Sequence, residues 1–296
     1  RNFLREQVLS SSKINLLFSK ISNTEIEIDS FFLLELREIL KNLLNGEYSD
    51  TRFINISSLR NLLKDIEEKT WLKETPSNNF KLNTDLIYSK IVIDLKEYQS
   101  KLFADYEHKK NYLNQRGILV DADTGSGKTL MGITLSIGCE KQVKVFVVPK
   151  TALESVWVSS LVKDENGYFK EKLDPNNIYT SLQFDKKEYS GEEYIICHND
   201  ALDKLLEVIK KSNITDCSIV VDEIHKYTSK EVVRRKLLLE LIEISKCDDV
   251  ILLSATTIRG SNLEVIAYLE LLDYKYTPLV DIRYSKLYGK PNALLK

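Results

Sequence analysis

The apolar positions of the chain change their period near residue 85. Before that point they recur at helical spacing. "IDSFFLLELREILKNLLNG" (28–46) carries apolar residues over much of its surface, has cap candidates at Asp29 and Ser30, and stops at Gly46. "SSLRNLLKDIEEKTWL" (57–72) repeats the plan, with Ser57 or Ser58 as its cap. "KETPSNNFKLN" (73–83) is polar, contains Pro76, and is expected to be a linker. From about residue 86, short apolar runs alternate with helical stretches. The strand candidates are GILV, VKVFVV, NIYTSL, YIIC, SIVV and VILLS; helices fit between them, for example over 151–162, 200–211 and 231–246. This alternation predicts an α/β fold with a parallel sheet and helices on both faces. It would occupy residues 86–296, preceded by a small helical accessory domain over residues 1–85. Ligands then bind at the carboxyl ends of the strands.

Composition narrows the partners. Hydrophobic residues make up 43% and charged residues 29%, the balance of an ordinary soluble protein of one large or two modest domains. The net charge of −2 supplies no general basic field, so nucleic acid would have to meet a local patch. No apolar run is long enough to span a membrane, and no signal-peptide pattern opens the chain. Cys139, Cys197, Cys217 and Cys247 are widely spaced, without a CxxC pair. They read as reduced core residues of an intracellular protein, nuclear or cytoplasmic, rather than as disulfides or zinc ligands. Because it begins at Arg1 rather than Met, the chain is expected to be a piece of a longer one.

Three stretches carry chemistry. "ADTGSGKT" (122–129) has the spacing of a phosphate-binding loop, with Ala122 in place of the usual first glycine. Thr124, Gly125, Ser126 and Gly127 form the loop, and the two glycines admit the positive φ that turns successive N–H groups toward one anion. Lys128 would reach the β and γ phosphates, and Thr129 would offer its hydroxyl to Mg²⁺. The strand before the loop and the helix after it supply the context such a motif needs. "CSIVVDEIHK" (217–226) is an apolar strand ending in Asp222 and Glu223. Asp222 is placed to hold Mg²⁺, Glu223 to act as general base, and His225 to link that site to a moving part. "VILLSATTIRGSNLEVIAYLELLD" (250–273) puts Ser254 and Thr256 at a strand tip, where they can bond the Asp-Glu-Ile-His segment, with an amphipathic helix after Gly260.

The order of "LKEYQ" (95–99), the phosphate loop, "VFVVPKTALESVW", "YIICHNDAL", "VVDEIHK" and "LLSATTIRGSNLEVIAYLELL" resembles the first, RecA-like motor lobe of superfamily 2 helicases and translocases. It looks most like the Snf-type ATPases and the related nucleoside triphosphatases of large DNA viruses. The resemblance covers about residues 90–275. It implies ATP and Mg²⁺ as cofactors, with Gln99 reading the adenine edge. It implies that Pro149, Lys150 and Thr151, and also Asn199, lie against a DNA or RNA backbone, Thr151 capping the helix after it. Asp200, beside Asn199, would cap the helix over 201–211. Trp157 reads as a core residue of an amphipathic helix. Thr124 and Ser126 depart from the Snf pattern, as do Thr257, Arg259 and Gly260, which places the chain in a divergent, viral or plasmid-borne branch. The family also needs a second lobe bearing arginines, supplied in cis or in trans. The implied function is an ATP-dependent translocase or helicase; the alternative is a nucleotide-responsive docking module that does not move along anything.

Overall fold

The computed structural model describes residues 18–21, 26–28, 33–45, 56–69, 76, 78–162, 167–171, 173–228, 233–256, 264–273, 282 and 285. They fall into two compact units. The first holds the described residues up to Pro76 and those after 275; the second spans Ser77–Gly260 and Glu264–Lys275.

In the first unit β1 (Phe18–Ile21) pairs antiparallel with β2 (Ile26–Ile28). Helices α1 (Leu33–Leu44) and α2 (Ile56–Lys69) follow. The hairpin is an addition to the helical domain expected from sequence; its strands are too short to show a period. Leu40 and Leu43 of α1 are buried with Leu59 and Ile66 of α2, and these four form the unit's core. Because α2 begins at Ile56, Ser57 and Ser58 lie inside its first turn and are not its cap. The other cap candidates, Asp29 and Ser30, and the stop at Gly46 lie outside the described residues.

The second unit opens with a strap. Asn78 donates to the Lys110 carbonyl, Phe80 exchanges backbone bonds with the Asn111 side chain, and the Leu82 N–H meets Glu107. The polar stretch expected to be a linker is therefore bound along a helix from Asn78 onward. Leu82, ahead of α3 (Thr84–Lys90), and Ile87 within it belong to the core of this unit, on both sides of the position where the apolar period changes.

Six parallel strands follow, one for each apolar run: β3 (Gly117–Asp121), β4 (Val143–Val148), β5 (Ile178–Thr180), β6 (Tyr194–His198), β7 (Cys217–Val221) and β8 (Asp249–Ser254). Their order across the sheet is β3-β8-β7-β4-β6-β5. Successive side chains leave a strand on opposite faces, and the core divides accordingly. Val143, Val145 and Val147 of β4 pack with α7 (Leu202–Ser212), α8 (Val233–Ile244) and α9 (Glu264–Leu272). Phe146 and Val148 pack on the other face, with α3, α4 (Glu97–Tyr112) and α5 (Lys128–Gly138). The sheet is thus covered on both faces, and its strands read as continuous apolar runs for that reason.

The stretch 151–162 is not the regular helix expected. A 3₁₀ turn (Lys150–Ala152) leads into a π-helical turn (Leu153–Val158), and only Ser159–Val162 (α6) is α-helical. The hydroxyls of Ser155, Ser159 and Ser160 bond the carbonyls of Thr151, Ser155 and Val156, competing for the acceptors a regular helix would use.

At the amino-terminal edge of the sheet lies a buried polar cluster. Lys110 of α4 pairs with Asp249 at 3.0 Å, donates to the Asp248 carbonyl, and lies 4.8 Å from the Phe80 ring centroid. Tyr106 donates to the same Asp249 oxygen at 2.8 Å. Burial, then the neighbouring Cys139 and Asp249, push the Tyr106 hydroxyl well above its usual range. Burial opposes the charge of Lys141, but Asp249, Asp248 and Asp216 together raise it above the usual lysine range. All four cysteines are free thiols, with Cys197, Cys217 and Cys247 buried, as the apolar settings of Cys197 and Cys217 suggested.

Candidate functional site

The loop between β3 and α5 is built on two glycines with positive φ, Gly125 at 84° and Gly127 at 88°. A Cβ on Gly125 would meet nothing within 4 Å, so the space above the loop is open. A Cβ on Gly127 would come within 2.7 Å of Gln99 Nε2, so α4 closes the loop from behind. The carbonyl of Ser126 accepts from the Tyr98 hydroxyl at 2.6 Å and from Gln99 Nε2 at 3.1 Å. Gln99 Oε1 accepts from the Lys96 N–H at 3.0 Å. Gln99 is 4% exposed, so the residue expected to read an adenine edge has its amide engaged with the loop instead. Ser126 Oγ is buried without a partner. Lys128 Nζ reaches back to the carbonyls of Ala122 and Asp123, 2.9 Å from each. Thr129 follows in the first turn of α5, whose leading N–H groups have no partner inside the helix.

Two strands away in the sheet, β7 ends at Val221 and delivers Asp222 and Glu223 to the same edge. Asp222 Oδ1 accepts from the Glu223 N–H at 2.9 Å, and Oδ2 from Trp157 Nε1 at 3.3 Å. Burial raises the Asp222 carboxyl above the usual carboxylate range. The Trp157 N–H and the charge of Lys128 pull it back, while the charge of Glu223 adds to the rise. Glu223 adopts φ 56°, an uncommon region for a residue with a Cβ, and this turns its carboxylate toward His225. Glu223 Oε2 lies 2.9 Å from His225 Nε2, and His225 Nδ1 lies 3.3 Å from Ser254 Oγ. Ser254 donates to the Thr256 carbonyl and accepts from its N–H, at 2.9 and 3.1 Å. The Ala122 N–H in turn donates to the Ser254 carbonyl at 3.1 Å. Hydrogen bonds therefore join Glu223, His225 and the Ser254 hydroxyl, while the Ser254 main chain, through the end of the β3–β8 ladder, meets the start of the glycine loop. A carboxylate facing Nε2 requires a proton there, so a neutral ring accepts from Ser254 and a charged ring donates to it. The Ser254 hydroxyl has one proton and two acceptors within reach, which makes it responsive to the state of the ring.

The expected backbone-contact residues lie at the carboxyl ends of β4 and β6, which pair in register from Lys144 with Tyr194 to Val148 with His198. Lys150 and Thr151 are exposed and Pro149 is half-buried. Thr151 lies inside the 3₁₀ turn and does not cap the segment after it. Asn199 departs from expectation: it is buried, and its Oδ1 accepts from the Tyr227 hydroxyl at 2.7 Å, so its side chain is not on an outer surface. Asp200 caps nothing; it pairs with Arg234 of α8. Burial lowers the His198 imidazole below its usual range; Asp200 opposes this and Lys150 and Lys204 reinforce it, so these charges share one surface. Thr257, Arg259 and Gly260 lie outside the described residues.

Sequence reasoning missed two residues at this site. Tyr98 stood next to the singled-out Gln99, and only its hydroxyl reaching the loop distinguishes it. Trp157 read as core, which it is, with 0% exposure. The overlooked signal is that a buried indole N–H needs an acceptor, and here the acceptor is Asp222.

The family described as "Type III restriction enzyme, res subunit" matches residues 92–259, more than half of the chain and the whole of the site. The chain belongs to this family. Over 124 residues the chain is 24% identical to the early transcription factor 70 kDa subunit of Melanoplus sanguinipes entomopoxvirus, a match covering 42% of this chain and 18% of that protein. The Sulfolobus solfataricus SWI2/SNF2 ATPase core, solved in complex with dsDNA, superposes with a TM-score of 0.50 at 20% identity, over 67% of this chain and 39% of that one. The Pyrococcus furiosus Hef helicase domain covers 65% of this chain at 21% identity with a TM-score of 0.42, and the chain spans 38% of its length. The family match, the parallel six-stranded sheet and the poxviral relative support an N-terminal lobe of the superfamily 2 helicase type, and the chain spans well under half the length of each of these relatives. Among the described residues no helix is long and apolar enough to cross a membrane.

Proposed function

We propose that this chain is the first ATPase lobe of a nucleic-acid motor, an ATP-dependent translocase or helicase acting on DNA or RNA. The observation that carries the reading is the hydrogen-bonded chain from Glu223 through His225 to the hydroxyl of Ser254, a strand-tip residue whose main chain pairs beside the start of the glycine loop. Such a chain gives the carboxylate a fixed orientation and a link to a neighbouring strand tip, which suits hydrolysis coupled to movement better than nucleotide holding alone. The two-unit division, an accessory region followed by the lobe, is part of the same proposal.

The residues fit ATP and Mg²⁺. The first-turn N–H groups of α5 and the open face above Gly125 suit phosphate oxygens. Lys128 Nζ is held by neutral carbonyls, and a phosphate would replace them with stronger, charge-assisted bonds. The Thr129 hydroxyl and Asp222 would hold Mg²⁺. Mg²⁺ supplies neutralisation of the phosphate charge. Glu223 would orient the attacking water and take its proton, its own orientation set by His225. Ser254 and Thr256 would report the change to the rest of the lobe. Pro149, Lys150 and Thr151 would lie against a nucleic-acid backbone, a contact that is salt-dependent and indifferent to sequence.

The test is ATP hydrolysis, with and without DNA and RNA, by this chain and by a protein that joins it to a second lobe bearing an arginine. By itself the chain is expected to bind ATP weakly and turn it over barely, because a transition-state arginine is worth roughly 10³–10⁵ in rate. The joined protein should hydrolyse ATP and respond to one of the nucleic acids. Turnover in the joined protein that ignores both would sink the motor and favour a nucleotide-responsive docking role.

A further inference from the structure

Trp157 stands where three elements meet. It is carried by the π-helical turn after β4. Its ring centroid lies 5.1 Å from that of Phe146 on β4. A Cβ on Gly132 would lie 3.5 Å from its Cη2, so the ring also packs on α5, the helix that begins with Lys128. Its Nε1 donates to Asp222 Oδ2 at 3.3 Å.

Packing explains the ring but not the direction of its N–H. A phenylalanine would fill most of the same space between Phe146 and Gly132. The indole adds one donor, and that donor meets the carboxylate at the tip of β7. Asp222 Oδ1 is already held by the Glu223 N–H at 2.9 Å. One bond leaves a carboxylate free to swing about its side-chain torsions; a second bond at the other oxygen fixes its plane. An indole N–H is a donor only, so it cannot compete for a cation, and each carboxylate oxygen keeps a lone pair. The turn that carries Trp157 is π-helical, a geometry met mostly as single turns and frequently at functional sites. That turn begins directly after the Lys150–Ala152 turn at the exposed Lys150 and Thr151.

We propose that Trp157 is a positioning residue for Asp222: its indole N–H holds the carboxylate in the orientation that receives Mg²⁺, and the π-helical turn ties that orientation to the Pro149–Thr151 segment. The inference rests on the reading of Asp222 as the Mg²⁺ carboxylate and deepens it. The residue touches no substrate in this scheme; it acts through Asp222.

The test uses the whole chain with Trp71→Phe, which removes the other of its two tryptophans and leaves emission to Trp157 alone. Mg²⁺ is titrated in the presence of a fluorescent ADP analogue, before and after Trp157→Phe. Trp157→Phe should raise the Mg²⁺ concentration needed for half-maximal effect about tenfold, the scale of one hydrogen bond to a charged group. Affinity for the analogue without metal should stay within about twofold in a chain that remains folded; a role in packing alone would lower the melting temperature and leave the metal dependence unmoved. An unchanged Mg²⁺ dependence in a folded Trp157→Phe chain overturns the inference. A second measurement does not need that variant to fold. In the Trp71→Phe chain, Mg²⁺ with ADP should shift Trp157 emission, and Asp222→Asn should remove the shift. Emission indifferent to Mg²⁺ overturns the inference while leaving nucleotide binding standing. Failure of the unsubstituted chain to bind the analogue at all overturns the reading of the site, and this inference with it.

Discussion

The Tyr98 hydroxyl donates to the Ser126 carbonyl at 2.6 Å, tying the start of α4 to the middle of the glycine loop. Gln99 supplies the second bond to the same oxygen. The loop backbone is therefore held from behind before any ligand arrives. Tyr98→Phe removes one of the two bonds and keeps the ring. Nucleotide affinity is expected to fall about three- to tenfold, the scale of one neutral hydrogen bond. Titration calorimetry with ADP checks this, and an affinity equal to that of the parent chain refutes the restraint.

Lys128→Ala removes the one cation that reaches across the loop from its own helix, where Nζ now bonds Ala122 and Asp123. Tight binding of ATP should be lost, since charge-assisted contacts to phosphate are among the stronger hydrogen bonds. Direct titration with a labelled ATP analogue reads the result. Unchanged affinity would mean the phosphates lie elsewhere.

Glu223→Gln keeps the shape of the side chain, and its amide can still meet His225 Nε2. It cannot take a proton. ATP should bind as before, while turnover in the two-lobe protein drops about a hundredfold or more. Loss of binding with normal residual turnover would make Glu223 a structural residue.

Lys150 is exposed at the carboxyl end of β4. Lys150→Ala should weaken nucleic-acid binding by the same factor on every sequence and reduce the salt dependence by about one unit of slope. Binding isotherms at several salt concentrations decide it. A loss confined to one sequence would point to base readout.

Lys110→Met should destabilise the second unit by about 3 kcal/mol, because it strands the buried carboxylate of Asp249 with its bonds from Tyr106 and Lys141 but without its closest cation. Urea unfolding of the whole chain measures this. A neutral result would mean that Lys141 alone compensates the charge.

The six strands were legible because each is an apolar run buried on both faces and bounded by polar residues, and a parallel sheet demands that pattern. The glycine loop and the Asp222–Glu223 tip were legible because local spacing alone brings their groups together. What stayed hidden depends on partners distant in sequence. Asn199 looked like a surface contact until Tyr227 took its oxygen. Trp157 looked like filling until Asp222 took its proton donor. The strap from Asn78 looked like a linker because its polar groups are satisfied by α4, some thirty positions on. The segment after Thr151 has the apolar spacing of an ordinary helix, and its serine hydroxyls bond carbonyls four residues back, a local competition that spacing does not register.

Helix α4 is anchored at both ends. Its head, Tyr98 and Gln99, grips the glycine loop; its foot, Lys110, is sunk among Asp248 and Asp249 at the opposite edge of the sheet. Its 16 residues make a rod of about 24 Å. A rod pinned twice cannot pivot without releasing one pin. Loosening the foot is therefore expected to reach the head, a helix length away, as faster hydrogen exchange of the amides around Ser126, although nothing near them has been altered.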